Sequence, residues 1–182
     1  MERWPDLEAM GRRIMIMGLT NSGKSTLAVA IGEKIGVPAV HLDRLRHLPN
    51  TNWEVRPDDE FKTLHDAEIL ADGWVMDGNY SKLTPQRFER ATGVVVMTDG
   101  LAKRYRRYFT RTLFQRSRQG GLEGGADRVN WMMINWLWTT RHSVGKYQKT
   151  ARASGLSCVF INNQRELDAL YRAWGLTLPS VA

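Results

Sequence analysis

A short loop near the start of the chain constrains the fold more than any other feature. The segment GLTNSGKS, residues 18–25, matches the pattern G-x-x-x-x-G-K-[ST] at every position. The apolar run RIMIM, residues 13–17, precedes the loop, and residues 24–35 follow it with apolar side chains at helical spacing. This order of strand, glycine-bearing loop and helix is the context in which the pattern forms a phosphate-binding loop.

The residue types in this loop explain how it would hold a phosphate. Its glycines let the backbone wrap an anion with N–H groups pointing inward, and the helix N-terminus adds a partial positive charge. Lys24 would reach the β- and γ-phosphates, and the Ser25 hydroxyl would ligate Mg²⁺. Because the chain has no NKxD-type guanine motif, we expect ATP and Mg²⁺ as cofactors. The predicted nucleotide-binding residues are Gly18, Leu19, Thr20, Asn21, Ser22, Gly23, Lys24, Ser25 and Thr26.

Strand-like and helix-like segments alternate along the rest of the chain. Short apolar runs predict strands at residues 13–17, 39–42, 74–76, 94–97 and 157–161. Helical periodicity predicts helices at residues 24–35, 57–70, 101–118, 131–150 and 165–174. Such alternation predicts a parallel sheet covered by helices on both faces, an α/β fold.

The domain organisation follows from the length and from one flexible break. A chain of 182 residues fits a single domain, residues 1–182, with a sizeable core. The segment QGGLEGGAD contains four glycines at 120–125 and separates two predicted helices. We expect these helices, at about 100–150, to move as a lid.

The charge balance is basic and points to a polyanionic partner. Lys and Arg number 26 against 19 Asp and Glu, a net charge of +7. Seven basic residues and no acid lie between positions 103 and 118: Lys103, Arg104, Arg106, Arg107, Arg111, Arg116 and Arg118. Three interpretations are open for this run: contact with nucleotide phosphates, contact with nucleic acid, or a solvated helix face. We do not favour nucleic acid.

The sequence also predicts a cytoplasmic protein that does not bind a membrane. A single cysteine, Cys158, excludes an internal disulfide and fits a reducing compartment. The first residues, MERWPDLEAMGRR, lack the apolar core of a signal peptide. No run approaches the ~18–20 apolar residues needed to span a bilayer. The oligomeric state is left open.

A carboxylate follows the third predicted strand. In WVMDGNY, residues 74–80, Asp77 and Gly78 come directly after an apolar run. One interpretation is an Asp-Gly turn that closes a strand. The other, which we favour beside the phosphate loop, is a carboxylate directed at the metal of an ATP·Mg²⁺ site.

The order of these motifs resembles the nucleoside-monophosphate-kinase branch of the P-loop kinases. LDRL follows the second strand, WVMDGNY the third and an Arg-rich helix the fourth. More closely, the chain resembles the adenylate-kinase-related family identified as DNA topology modulation proteins, over about residues 13–170. The resemblance implies a three-layer α/β/α P-loop fold, with a five-stranded parallel sheet in the order 2-3-1-4-5 and a helical lid between strands four and five. It also implies phosphotransferase activity.

The resemblance carries over to the loop after strand three. Adenylate kinases have LDGFPR there, and the aspartate holds the Mg²⁺ shell through water. This chain matches at Asp77 and Gly78 and departs at Asn79 and Tyr80. The arginine that grips AMP in adenylate kinases is missing, which argues against AMP as the acceptor.

The resemblance also assigns acceptor-side and phosphoryl-side residues. LDRLR is similar to the GDMLR of adenylate kinases, so Asp43 would orient or deprotonate an acceptor hydroxyl and Arg46 would lie beside it. Asp43 as a loop or N-cap acid is the alternative. The predicted acceptor-side residues are Asp43, Arg46, Gly78 and Asn79. The arginines expected to face the nucleotide or the transferring phosphoryl group are Arg107, Arg111 and Arg141.

Three functions are therefore compatible with the sequence. The favoured one is a kinase that transfers the γ-phosphoryl group of ATP to a nucleoside monophosphate or a hydroxylated metabolite, with Lys24, Asp77, Arg107, Arg111 and Asp43 as catalytic residues. The second is a nucleic-acid-associated ATPase linked to DNA topology. The third is a nucleotide sensor without transfer chemistry.

Overall fold

A five-stranded parallel sheet forms the centre of the protein. The computed structural model describes residues 4–51, 53–114, 131–140 and 143–179. Its strands are β1 (Arg13–Gly18), β2 (Ala39–His41), β3 (Trp74–Asp77), β4 (Gly93–Met97) and β5 (Ser157–Ile161). They lie side by side in the order β2-β3-β1-β4-β5, all parallel. This topology confirms the predicted fold class and strand order.

Helices connect the strands and cover the sheet. In the described part of the chain they are α1 (Lys24–Ile35), α2 (Leu42–Arg46), α3 (Asp58–Ile69), α4 (Thr84–Arg90), α5 (Leu101–Phe114), α6 (Trp131–Thr139), α7 (Val144–Ala153) and α8 (Gln164–Ala173). Short 3₁₀ turns at Glu8–Met10 and Ser81–Leu83 complete the connections. None of the described helices is long and apolar enough to cross a membrane.

Each strand buries side chains on both faces, because successive residues of a strand point in opposite directions. Ile14 and Ile16 of β1 pack in the cluster that includes Leu27 and Ile31 of α1. The intervening Met15 packs in the opposite cluster, which includes the residues Met17, Val40, Ile69, Trp74, Met76, Val94, Val96 and Ala151. Two apolar layers of this kind explain why the strands read as continuous hydrophobic runs.

The helix that follows the phosphate loop begins and ends at glycines. Gly23 precedes α1 with φ of 95°, and Gly36 ends it in the left-handed region with φ of 65°. The N–H of Gly36 donates to the carbonyl of Gly32. Because Pro38 follows and cannot continue a helix, α1 ends where the sequence predicts.

Several predicted boundaries differ from the structure, among them those of the second strand and of the helix at 131–150. The second strand ends at His41, and Leu42 already begins the short helix α2, so Asp43 lies in a helical first turn rather than in a loop. The helix predicted at 131–150 is divided into α6 and α7. The glycine break at 120–125 lies outside the described residues, and the single-domain and lid assignments stay predictions.

Gly18 has no room for a side chain. Its φ is 139°, and an added Cβ would lie 1.9 Å from the carbonyl oxygen of Met97. We expect Gly18→Ala to lower the free energy of unfolding by about 3 kcal/mol or more, since strain and a backbone clash add. Gly36→Ala is the matched control, with a positive φ but open space around its Cβ, and should cost about 1 kcal/mol. Equal losses for the two variants in urea unfolding would contradict the clash.

Candidate active site

The carboxyl ends of three neighbouring strands meet at the phosphate loop. Asp77, the last residue of β3, has Ile16 of β1 as its register partner on one side and His41 of β2 on the other. The loop leaves β1 immediately beyond Ile16 and Met17. The sheet order therefore brings Asp77 beside the loop, although they are far apart in sequence.

The loop has the backbone of an anion cradle. Asn21 adopts a positive φ of 63°, and the first N–H groups of α1 point out of the helix end toward the loop. Within the described residues, the Ser22 hydroxyl is buried and has no hydrogen-bond partner. Buried polar groups are rarely left unpaired, so this orphan marks a place where a polar ligand fits.

Lys24 lies over the loop and donates a hydrogen bond from Nζ to the carbonyl of Leu19, at 2.7 Å. Burial lowers the pKa of the Lys24 ammonium below its usual value. The negative charges of Asp77 and Asp43 oppose that shift, and the positive charge of Arg104 adds to it. Lys24 therefore interacts electrostatically with both carboxylates and with one arginine of α5.

Asp77 directs its carboxylate at the loop. The residue is only 6% exposed, and the Ser25 hydroxyl donates to its Oδ2 at 2.6 Å. The other oxygen, Oδ1, lies 2.6 Å from Nδ1 of His41. An ionised carboxylate only accepts, so Nδ1 carries the hydrogen in this pair. This orientation is the one a metal-side aspartate needs, and a surface turn would not require it.

The donor set at this point fits Mg²⁺. Ser25 and Asp77 present two hard oxygen atoms, and Mg²⁺ commonly uses one or two such protein ligands together with substrate phosphates and water. Among the described residues there is no cluster of three or more His, Cys, Asp or Glu side chains that could hold a metal by itself. The metal roles of Ser25 and Asp77 stay predictions.

Asn79 binds the phosphate loop with both ends of its amide. Its Oδ1 accepts from the Gly18 N–H at 3.0 Å, and its Nδ2 donates to the Gly18 carbonyl at 2.9 Å. Nδ2 also donates to the Tyr147 hydroxyl of α7 at 3.0 Å. The side chain predicted to face the acceptor is therefore engaged with the start of the phosphate loop, and its acceptor-side role stays a prediction.

Arg87 of α4 hydrogen-bonds to the backbone of the loop after β3, a role that the sequence did not predict. Its side chain is fully buried, with Nη1 donating to the Gly78 carbonyl at 2.8 Å. Nη2 donates to the carbonyls of Asn79, at 2.5 Å, and Tyr80, at 3.2 Å. Burial lowers the pKa of Arg87 to about 10. In the sequence, Arg87 has no feature that separates it from an exposed helical arginine.

On the acceptor side, Asp43 is paired with Tyr80. The Tyr80 hydroxyl donates to Oδ1 of Asp43 at 2.5 Å, and burial together with the Asp43 charge raises the pKa of Tyr80. Arg46 forms an ion pair with Asp58 at 2.6 Å and covers the Phe61 ring at 5.3 Å. Of the two acceptor-side charges predicted in α2, Asp43 is the one coupled electrostatically to Lys24.

The basic helix α5 places two arginines on the phosphate loop. Arg104, which is 1% exposed, donates from Nε to the Thr20 carbonyl at 2.8 Å. Arg107 donates to the Asn21 carbonyl at 3.3 Å and forms an ion pair with Asp99 at 2.7 Å. Nothing in the sequence distinguishes Arg104 from the other basic residues between positions 103 and 118.

The structure does not describe the side chains of two predicted arginines. Arg111 belongs to α5, but its side chain lies outside what the structure describes. Arg141 lies outside the described residues altogether. Both assignments stay predictions.

Comparison with known proteins supports the fold. No protein-family model matches the chain, and no curated protein matches it in sequence. A solved gluconokinase from Sinorhizobium meliloti 1021 is similar at 16% identity, with 91% of each chain covered and a TM-score of 0.52. The TT1252 protein from Thermus thermophilus is similar at 16% identity, covering 87% of this chain and 95% of its own, with a TM-score of 0.46. The likeness to the gluconokinase supports the fold described above, a five-stranded parallel sheet flanked by helices.

The buried arginine of α4 offers a direct test of how the loop after β3 is held. We expect Arg87→Met to lower the free energy of unfolding by about 3 kcal/mol or more, because three half-buried carbonyls lose a charged donor. Arg90→Met is the matched control, since half-buried Arg90 on the same helix donates to the carbonyls of Ile69 and Leu70. Its loss should be about 1 kcal/mol. Urea unfolding of both variants measures the difference, and equal effects would refute the role of Arg87.

Proposed function

We propose that the protein is an ATP·Mg²⁺-dependent kinase that phosphorylates a small hydroxyl-bearing acceptor. The observation that carries the proposal is the 2.6 Å hydrogen bond between Ser25 Oγ and Asp77 Oδ2. It joins the phosphate loop to a second carboxylate, and such a pair holds Mg²⁺ beside the triphosphate in P-loop enzymes. The structural likeness to a gluconokinase supports the small-molecule kinase class, while the acceptor itself is inferred from the site.

On the nucleotide side, the backbone of residues 18–26 would wrap the phosphates and Lys24 would reach the β- and γ-oxygens. Ser25 and Asp77 would hold Mg²⁺, which would supply positive charge against the phosphates. Arg104 and Arg107 would add positive charge from α5, since both already contact carbonyls of the loop. Catalysis would consist of positioning and charge stabilisation. By resemblance, Arg111 and Arg141 would join them on a lid formed at about 100–150.

On the acceptor side, Asp43 is the candidate that orients the hydroxyl and takes its proton. Tyr80 donates to one carboxylate oxygen, and the other oxygen would accept a hydrogen bond from the acceptor hydroxyl. Arg46 is already neutralised by Asp58. That pairing favours an acceptor bound through hydroxyl groups over a nucleoside monophosphate bound through its phosphate.

The alternative functions are weaker on the same evidence. The resemblance to DNA topology modulation proteins and the basic run favour a nucleic-acid-associated ATPase. However, Arg104 is buried against the phosphate loop and Arg107 is paired with Asp99, so two members of that run are not available as a free basic surface. A nucleotide sensor would share the ATP site and lack phosphoryl transfer.

The lysine of the phosphate loop provides the first test. Lys24→Ala should lower turnover by about 10²–10³-fold, because the transferring group loses its preorganised positive charge. Lys34→Ala is the control, since Lys34 is an exposed lysine in the last turn of the same helix and should behave as wild type. ADP release measures turnover, and isothermal titration measures ATP binding. Unchanged activity and ATP affinity in Lys24→Ala would reject the assignment.

The acceptor side is tested with a panel of candidate acceptors under the same ADP-release assay. We expect a polyhydroxylated compound to stimulate turnover, and Asp43→Asn to lower the stimulated rate by about 10²–10⁴-fold with ATP affinity retained. Tyr80→Phe, which removes only the hydroxyl bound to Asp43, should have a smaller effect. ATP binding without stimulation by any acceptor would favour the sensor, and stimulation by DNA at low salt would favour the nucleic-acid alternative.

A further inference from the structure

We infer that His41 is a positioning residue for Mg²⁺, which holds the Asp77 carboxylate so that a single oxygen faces the phosphate loop. The inference rests on the proposed ATP·Mg²⁺ site and adds a residue that neither the motif nor the resemblance assigns. It begins from an unusual feature: both oxygens of a buried aspartate at the mouth of the loop have a partner at 2.6 Å.

The sheet fixes the position of His41. His41 is the last residue of β2 and is the direct register partner of Asp77 in β3. Both side chains are buried, with 7% and 6% of their surface exposed. Because the two strands are hydrogen-bonded neighbours, the imidazole and the carboxylate are held together by backbone pairing as well as by their own contact. His41 is therefore a rigid anchor, unlike a side chain on a loop.

The division of the two oxygens defines the role. Nδ1 of His41, at the end of β2, hydrogen-bonds to Oδ1, and the Ser25 hydroxyl of the phosphate loop donates to Oδ2. When the Ser25 hydroxyl turns to a metal, Oδ2 becomes the oxygen available to the metal or its water, while His41 keeps the carboxylate plane fixed. Mg²⁺ demands near-ideal octahedral geometry, so an oxygen oriented in advance favours its binding. Groups that hydrogen-bond metal ligands typically change metal affinity by about 10–100-fold when mutated.

A second histidine–aspartate pair in the molecule supplies the comparison. His65 of α3 is fully buried, and its Nδ1 lies 2.9 Å from Oδ1 of Asp66. Asp66 is also paired with Lys62 on the same helix, and belongs to a helix surface rather than to a strand end. The two pairs share a buried histidine and a carboxylate partner, but the Asp66 side chain is 34% exposed and lies away from the phosphate loop. Removing His65 therefore reproduces the loss of a buried histidine without touching Asp77.

The experiment is a thermal-shift titration of Mg²⁺ in the presence of a non-hydrolysable ATP analogue, with wild type, His41→Leu, His41→Asn and the control His65→Leu. We expect His41→Leu to raise the Mg²⁺ concentration for the half-maximal shift by about tenfold or more. His41→Asn, whose amide N–H can replace Nδ1, should stay within about threefold of wild type. His65→Leu should lower the starting melting temperature and leave the Mg²⁺ midpoint unchanged.

The outcomes separate this inference from the proposed function. If the wild type shows no Mg²⁺-dependent shift, the proposed ATP·Mg²⁺ site is wrong. If the wild type responds and His41→Leu keeps the wild-type midpoint, the role of His41 alone is overturned. If His41→Leu does not fold, His41→Ala replaces it. Alanine cannot donate to Asp77, so a wild-type midpoint in His41→Ala would also overturn the inference.

Discussion

The buried carboxylate of Asp77 is the interaction on which the rest of the site depends. Taking a charge out of water costs several kcal/mol unless donors replace the lost hydration. Here the donors come from separate segments, Ser25 at the start of α1 and His41 at the end of β2. The hydrogen bonds of the Asp77 carboxylate thus join β2, β3 and the start of α1, which are distant in sequence. They also fix a carboxylate beside the phosphate loop.

The loop after β3, which begins next to Asp77, is held by the buried guanidinium of Arg87. Arg87 binds three successive carbonyls, and Asn79 of the same loop clamps the backbone of Gly18. The phosphate loop and the loop after β3 are therefore joined through Asn79. Asp43 is joined to the loop after β3 by a single hydrogen bond among those of the described residues, from the hydroxyl of Tyr80.

Local sequence patterns predicted the strands and the longer helices, but not α2, α4, the division between α6 and α7 or the partners within the site. Apolar runs and the glycine pattern located every strand within two residues and α1 at its observed ends, because burial on both faces and glycine conformation act locally. Arg87, Arg104 and His41 escaped prediction because their roles depend on which distant groups the sheet order brings near them. The same limit explains Asn79, whose amide turned out to bind Gly18, and Arg46, whose charge is taken by Asp58. A sequence motif indicates a residue type, whereas hydrogen-bond partners follow from topology.

The hydrogen bond between Lys24 and the Leu19 carbonyl has a thermodynamic consequence for nucleotide affinity. An arriving phosphate competes with the loop's own carbonyl for the ammonium group, so binding exchanges one hydrogen bond for a stronger charge-assisted one instead of adding a new contact. In the proposed kinase, the carbonyl of Leu19 would thus stand in for the phosphate while the site is empty. Displacing it would offset part of the attraction of Lys24 for the triphosphate, which would moderate affinity while the geometry for transfer is preserved.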